Sequence, residues 1–484
     1  MGVFILLTML FPLIGAFIVY AFKDNNKLIK NIVLIALLSL TFIFAIINCF
    51  VSDLHIKLLS VTEILTIEFR VDNLSKLFSV LISFVWLLVS VYTLKYITHE
   101  KNENRFYMFS LTTLAMLMGL CYSANLLTMY LCFEFVTLLS MPLVLHSLST
   151  ESVNAAKKYL FYSIGGAFLA LFGVFLLISY SSNASFGSYG GLDIFKNMSG
   201  NKTLYQIGVL SMIIGFATKG GMYPLHGWLP TAHPVAPSPA SALLSGVITK
   251  AGVIAIIRVV FYFVGPSFIA NSFVQYVFLG LATFTVFLGS LMAYLEKVFK
   301  KRLAYSTVSQ ISYILVGLAF LNDIAFTGAL IHVVSHMLIK VTLFLFAGKV
   351  IFKYNYHNVD ELKGIGKKLP ISTICYTIVS LGLIGIPLTS GFISKWYLAE
   401  GALNSSVPVF NWLVCIVLLI SAIFTAGYLL PISVNGFIVG NEKFNKDKEE
   451  KLMVIPMAIM AILVLLIGIY YQPILDLISS IIGK

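Results

Sequence analysis

The chain has 484 residues, 59% of them hydrophobic and only 11% charged, where a soluble domain would carry roughly a quarter charged residues. That composition excludes a soluble globular protein, and the surplus apolar surface has to face lipid. The net charge is +12, and the five cysteines (Cys49, Cys121, Cys132, Cys375 and Cys415), scattered through apolar segments with no CxxC pair, give no iron–sulfur, haem or zinc ligand set. No glycine-rich phosphate loop follows a strand either, so any redox or nucleotide chemistry is expected on another chain.

Apolar windows set against polar breaks predict an all-α integral membrane fold of about fourteen spans. They run approximately 3–22, 29–51, 76–98, 106–123, 126–147, 155–181, 205–228, 239–263, 269–295, 303–321, 325–350, 370–400, 409–437 and 452–480. The first lacks a basic n-region and a small-residue cleavage site, which makes it a permanent helix and not a signal peptide. Between the second and third spans, the alternating run Ile64-Leu-Thr-Ile-Glu-Phe-Arg-Val71 predicts a short surface hairpin. The Gly/Ser/Asn-rich segment 182–204 reads as an external loop.

Of 32 Lys and Arg, 21 fall in or beside the loops after odd-numbered spans, and six (Lys57, Arg70, Lys76, Lys196, Lys202, Lys484) on the other side. By the positive-inside rule the odd loops are cytoplasmic and both termini outside. The net charge is then a topology signal, not a nucleic-acid footprint.

Five basic residues remain inside spans: Lys219, Lys250, Arg258, Lys340 and Lys395. Among the twenty acids only Glu134 sits deep in one, within Met129-Tyr-Leu-Cys-Phe-Glu-Phe-Val136; Glu400 and Asp476 lie near span ends, where a charge can snorkel to water. An ionisable group at the bilayer centre costs on the order of 3 kcal/mol, so its default reading is functional. Glu134 needs a partner, and Lys219 is the candidate, either as a static pair or as a proton-handling couple. Four lysines against one glutamate cannot all be charged in a low-dielectric interior, so their charge states depend on one another, as in a proton carrier. Arg258 keeps its proton in any practical range and is assigned to structure or electrostatic bias.

The eleventh span reads Ala329-Leu-Ile-His-Val-Val-Ser-His-Met-Leu-Ile-Lys340. His332, His336 and Lys340 recur every four residues, stay near one face and cover about 12 Å of helix axis. Two stacked histidines over a lysine are better explained as a hydrogen-bonded relay than as packing, and a metal site is disfavoured because the only carboxylate this deep is on another helix, the fifth. Two spans look broken. The seventh has Thr218-Lys219-Gly220-Gly221-Met-Tyr-Pro224, and the twelfth has Gly385-Ile-Pro387-Leu-Thr-Ser-Gly391-Phe-Ile-Ser-Lys395. A broken backbone survives in lipid only where protein or water supplies partners. Paired breaks in two halves of a chain point to inverted repeats with the functional site between them.

The run Thr218-Lys-Gly-Gly-Met-Tyr-Pro-Leu-His-Gly-Trp-Leu-Pro-Thr-Ala-His-Pro-Val-Ala-Pro-Ser-Pro-Ala-Ser-Ala-Leu-Leu-Ser-Gly-Val-Ile-Thr-Lys250 resembles the central signature of a known family. This is the antiporter-like subunits of respiratory complex I, membrane-bound hydrogenases and formate hydrogenlyases, and Mrp sodium/proton antiporters. Arg302-Leu-Ala-Tyr-Ser-Thr-Val-Ser-Gln310, the His332/His336/Lys340 helix and Gly385-Ile-Pro with Lys395 match it as well. The resemblance covers essentially the whole chain. It implies one transmembrane domain with two inverted five-helix repeats, helices 4–8 (about 106–263) and 9–13 (about 269–437). It also implies proton-transfer roles for Glu134, Lys219, Lys250, His332, His336, Lys340 and Lys395, with the Glu134–Lys219 pair opening or closing to shift protons along Lys250, Lys340 and Lys395. One departure is Val298, where the family usually carries an acidic residue before Arg302. The chain also resembles the compact members, with no long lateral helix.

The resulting expectation is a proton- or sodium-translocating subunit of a redox-driven complex of hydrogenase or complex I type, in a prokaryotic cell membrane. It would carry no cofactor of its own and would have membrane and hydrophilic redox partners, the latter holding iron–sulfur clusters. An Mrp-type antiporter subunit is the alternative. A stand-alone transporter of an organic solute would need a substrate-sized pocket at the breaks, and a purely structural anchor would not need five intramembrane basic residues.

Overall fold

The computed structural model describes residues 2–22, 27–51, 54–60, 62, 65–181, 184–196, 200–438 and 447–484. Helices α1 (Val3–Ala21), α2 (Lys27–Phe50), α3 (Asn73–Tyr96), α4 (Glu103–Tyr122), α5 (Leu126–Val144) and α6 (Thr150–Ser181) open the chain. The seventh span, α7, is Lys202–Gly220, resumed after an irregular stretch as Leu229–Val235. Then follow α8 (Ser238–Val264), α9 (Phe273–Leu295), α10 (Phe299–Ala319) and α11 (Asp323–Tyr354). The twelfth, α12, is Pro370–Ile384 resumed as Ser390–Leu403, before α13 (Phe410–Phe437), α14 (Lys451–Ile469) and α15 (Gln472–Ile482). Among the described residues, ten helices are long and apolar enough to cross a membrane; α4, α7, α10 and α12 carry charges at their ends or are interrupted.

The hairpin forms from β1 (His55–Ser60) and β2 (Thr66–Arg70), antiparallel with His55 opposite Arg70 and Lys57 opposite Glu68. Part of its turn, with Ile64, lies outside the described residues, as do parts of 182–204. The described part of that loop is packed, not free. Its Gly187, Gly190 and Leu192 amides donate to the Tyr262, Phe261 and Phe263 carbonyls, each at 2.9 Å. They satisfy backbone acceptors at the end of α8 that would otherwise face a low-dielectric interior.

The molecule is layered by burial. Helix α8 is buried throughout and α11 from Gly328 to Val350, while α1, α2, α6 and α13 turn residues such as Phe17, Ile43, Phe168 and Ile423 outward. Buried α8 is also irregular: Leu244–Ile248 and Arg258–Val264 are π-helical, a local widening that is frequent at functional sites. Lys250 follows the first of these stretches and Arg258 opens the second. The fourteenth span is shorter than its sequence pattern. The apolar run 452–480 breaks at Tyr470-Tyr471, and α15, with Pro473 in its first turn, is a separate helix.

Candidate functional site

The two breaks place lysines at freed helix ends by different means. In α7 the Thr218 carbonyl is taken by the Trp228 indole N–H at 2.9 Å and the Gly221 amide at 3.1 Å, which leaves the Lys219 ammonium for side chains. Its Nζ donates to Thr137 Oγ1 of α5 at 2.7 Å and to the Tyr159 hydroxyl of α6 at 2.5 Å. The ammonium also stands 4.6 Å from the Tyr159 ring centroid, and Tyr159 is linked to Ser140 Oγ at 2.7 Å. In α12 the lysine itself is the cap: Lys395 Nζ donates to the Leu383 and Ile384 carbonyls at 2.7 and 2.8 Å. Gly385, at φ +94°, permits this, since a Cβ there would lie 2.9 Å from Lys395 Cδ.

Glu134 and Lys219 do not touch. Glu134 Oε1 has no partner among the described residues, and Lys219 has settled on hydroxyls. Thr137, which it grips, lies three residues from Glu134 on the same helix, about 4.5 Å along the axis. The carboxylate and ammonium still act on one another electrostatically, although no hydrogen bond or ion pair joins them among the described residues.

From α8 onward the predicted residues come together. Lys250 Nζ meets His336 Nδ1 of α11 at 2.6 Å and donates to the Ser245 carbonyl at 3.1 Å. The His336 and His332 rings are 6.1 Å apart. His332 Nδ1 meets Ser394 Oγ of α12 at 2.9 Å, next to Lys395 in the chain. The His332 ring also stacks on Tyr313 at 5.4 Å, and Lys395 Nζ lies 5.1 Å from the centroid of that ring. Helices α7 and α8 approach closely beside Lys219: a Cβ at Gly252 would sit 2.3 Å from the Phe216 carbonyl and 3.2 Å from Lys219 Cβ.

Lys340 is a side branch, one turn beyond His336. It donates to Ser306 Oγ at 2.6 Å and the Leu303 carbonyl at 3.1 Å, and Ser306 meets the Tyr428 hydroxyl at 2.6 Å. Lys219, Lys250, Lys340 and Lys395 are buried or nearly so, and no carboxylate among the described residues ion-pairs with any of them. Arg258 differs: it grips Asp72, at the start of α3, through two hydrogen bonds of 2.5 and 3.0 Å. Buried Gln310, Ser335 Oγ and the Nε2 atoms of His332 and His336 find no protein partner among the described residues, so polar atoms line the buried space around these side chains.

Three residues outside the sequence-derived set join the Lys340 branch. His233 is fully buried, with neither ring nitrogen partnered among the described residues, its ring stacked on Phe344 at 4.7 Å, and it feels the charges of both Lys300 and Lys340. Lys300, counted by sequence among loop lysines, is buried and donates to the Ala236 and Pro234 carbonyls at 2.5 and 3.4 Å. Glu100, in the loop before α4, interacts with Lys300; burial pushes its carboxyl up, and Lys300 draws it partly back. The available signals were a histidine between prolines and a lysine on the opposite side of the α10 start from Lys301. At the same corner, Glu296 supplies the negative charge that Val298 does not. Its carboxylate meets Lys301 at 2.7 Å, and its backbone carbonyl accepts from Arg302 Nε at 2.8 Å.

Residues 123–425 match the family described as NADH:quinone oxidoreductase/Mrp antiporter, TM. Residues 61–107 match the NADH-ubiquinone oxidoreductase (complex I), chain 5 N-terminus. The chain belongs to this antiporter-like family. It is similar to an NADH-quinone oxidoreductase subunit of Desulforudis audaxviator, 29% identical over 85% of this chain and 83% of that protein. A Na(+)/H(+) antiporter subunit of Alkalihalophilus pseudofirmus is 26% identical over 97% of this chain and 94% of that protein. Hydrogenase-4 component B of Escherichia coli is 31% identical over 69% of this chain, which spans only 51% of that longer relative. The fold is shared with a chain of the archaeal membrane-bound sulfane sulfur reductase, at TM-score 0.88 and 22% identity, covering 100% of this chain and 98% of that one. This protein is accordingly a multi-pass membrane subunit of the antiporter-like type.

Proposed function

We propose that the chain moves protons, or protons against sodium, along the line Glu134, Lys219, Lys250, His336, His332 and Lys395, with Lys340, His233 and Lys300 as a branch toward the basic loops. The observation that carries this reading is the 2.6 Å contact between Lys250 and His336. It joins the helix that closes one proposed five-helix repeat, 106–263, to the central helix of the other, 269–437. A lysine and a histidine in hydrogen-bond contact can hand one proton back and forth, and no third group is needed.

The driving reaction belongs to partners. The leading reading is a redox-driven complex, whose hydrophilic subunits would hold the iron–sulfur clusters; an archaeal respiratory complex contains a chain that shares this fold over its whole length. The Mrp-type reading is favoured by the Na(+)/H(+) antiporter relative, matched over 97% of this chain. Orientation with the odd loops and their lysines cytoplasmic goes with either. Mild solubilisation of the tagged chain separates them. Iron–sulfur absorbance with hydrophilic partners supports the redox reading, and a colourless assembly of small membrane proteins supports the antiporter. A chain purifying alone and transporting an organic solute would overturn both.

A further inference from the structure

Helices α2, α3, α14 and α15 line an open cavity of about 610 Å³ that takes no part in the polar line. Its lining is graded. Asn73 and Lys76 stand at the hairpin end, and Val80, Phe84 and Phe42 continue it into the apolar layer. From Lys76 to Phe84 the α3 wall extends about 12 Å. Val334 of α11, between His332 and His336 in the chain, also reaches the lining. The Asn73 amide donates to the Ser480 carbonyl at 2.9 Å and fixes α15 over the polar end.

Lys76 is the anomaly. It lies on the side that the positive-inside rule empties of basic residues. It is half-buried, and its side chain makes no hydrogen bond or ion pair among the described residues. Lys30, buried at the other membrane face, is by contrast held by Glu103 and Asn104, each at 2.9 Å. An uncompensated ammonium at the mouth of an apolar slot calls for an anion that carries its own apolar tail.

We propose that this cavity binds an anionic phospholipid, one acyl chain along Val80 and Phe84 and the headgroup phosphate on the Lys76 ammonium. The cavity falls within the range of small-ligand sites, its walls bury methylenes, and the grading from ammonium to aromatic follows the lipid from phosphate to tail. The bound chain also packs against Val334, on the helix that carries the two histidines.

The test is native mass spectrometry of the full chain transferred to detergent from nanodiscs of phosphatidylglycerol or phosphatidylcholine. The wild type is expected to keep one phosphatidylglycerol in preference to phosphatidylcholine, and Lys76→Arg to do the same. Lys76→Gln should retain about fivefold less, the worth of one lysine–anionic lipid contact, and Val80→Trp, which fills the slot, should retain none. Equal retention of the two lipids by the wild type, which needs no variant to fold, overturns the proposal. So does undiminished retention by either Lys76→Gln or Val80→Trp.

Discussion

The breaks in α7 and α12 share a design, a glycine and a proline beside a lysine, yet they leave the lysine in opposite circumstances. At α12 the freed carbonyls of Leu383 and Ile384 are capped by Lys395 itself, so the ammonium is anchored to backbone. At α7 Trp228 caps the Thr218 carbonyl, and Lys219 rests on two hydroxyls with a carboxylate nearby. Hydroxyls accept or donate and rotate freely, whereas carbonyls only accept. A lysine on hydroxyls can therefore lose its proton or swing toward Glu134 at little cost. A lysine on two carbonyls gives up two hydrogen bonds when it lets go. In the proposed mechanism the same break thus supplies a movable element at one end of the line and a fixed terminus at the other.

The largest effect should come from the movable end. Glu134→Ala and Lys219→Ala are each expected to abolish coupled transport in sealed vesicles while the complex still assembles; normal pumping by either assembled variant would remove the pair from the mechanism. Next comes Lys395→Arg, which keeps a cationic donor for both carbonyls but cannot shed its proton. Transport should be lost with assembly retained, and wild-type transport would make Lys395 an anchor only.

Trp228→Phe would narrow the distinction between the breaks by leaving the Thr218 carbonyl with the Gly221 amide alone, a loss of one hydrogen bond worth about 0.5–1.5 kcal/mol. A slightly lowered unfolding midpoint and slower transport are expected, because Lys219 can then take the place of the indole as the second donor. Unchanged values of both would show that the indole does not hold the lysine free. The smallest effect is at Gly385, where alanine must adopt a left-handed conformation costing about 1–2 kcal/mol against Lys395. A modest loss of stability is expected, greater than for alanine at Gly165, which has open space around it.

Much of this was legible in the sequence because lipid leaves few options. Apolar length gave the spans, alternation around Thr66–Arg70 gave the hairpin, and glycine with proline gave both breaks. The stripe of His332, His336 and Lys340 was visible because it lies on one helix, but its partners were not. Ser306, Ser394 and Tyr159 are ordinary residues until packing brings them within reach of a lysine or histidine. Lys219 looked like a direct partner of Glu134 because one carboxylate and one near cation suggest a pair, and no pattern reveals that Thr137 and Tyr159 take the ammonium first. Lys300 was hidden among loop lysines, since only the fold of residues 234–236 back onto α10 buries it. The end of α14 was concealed by α15, whose apolar residues continue the run after the chain has turned.

The central claim is that protons cross between the two halves of the chain through Lys250 and His336. The most direct test is proton uptake by sealed vesicles carrying Lys250→Met, with the partner reaction assayed in parallel in detergent. The expected result is loss of uptake with the partner reaction and assembly intact. Uptake at the wild-type rate would contradict the account, because the line would then have to pass between the halves without this direct contact.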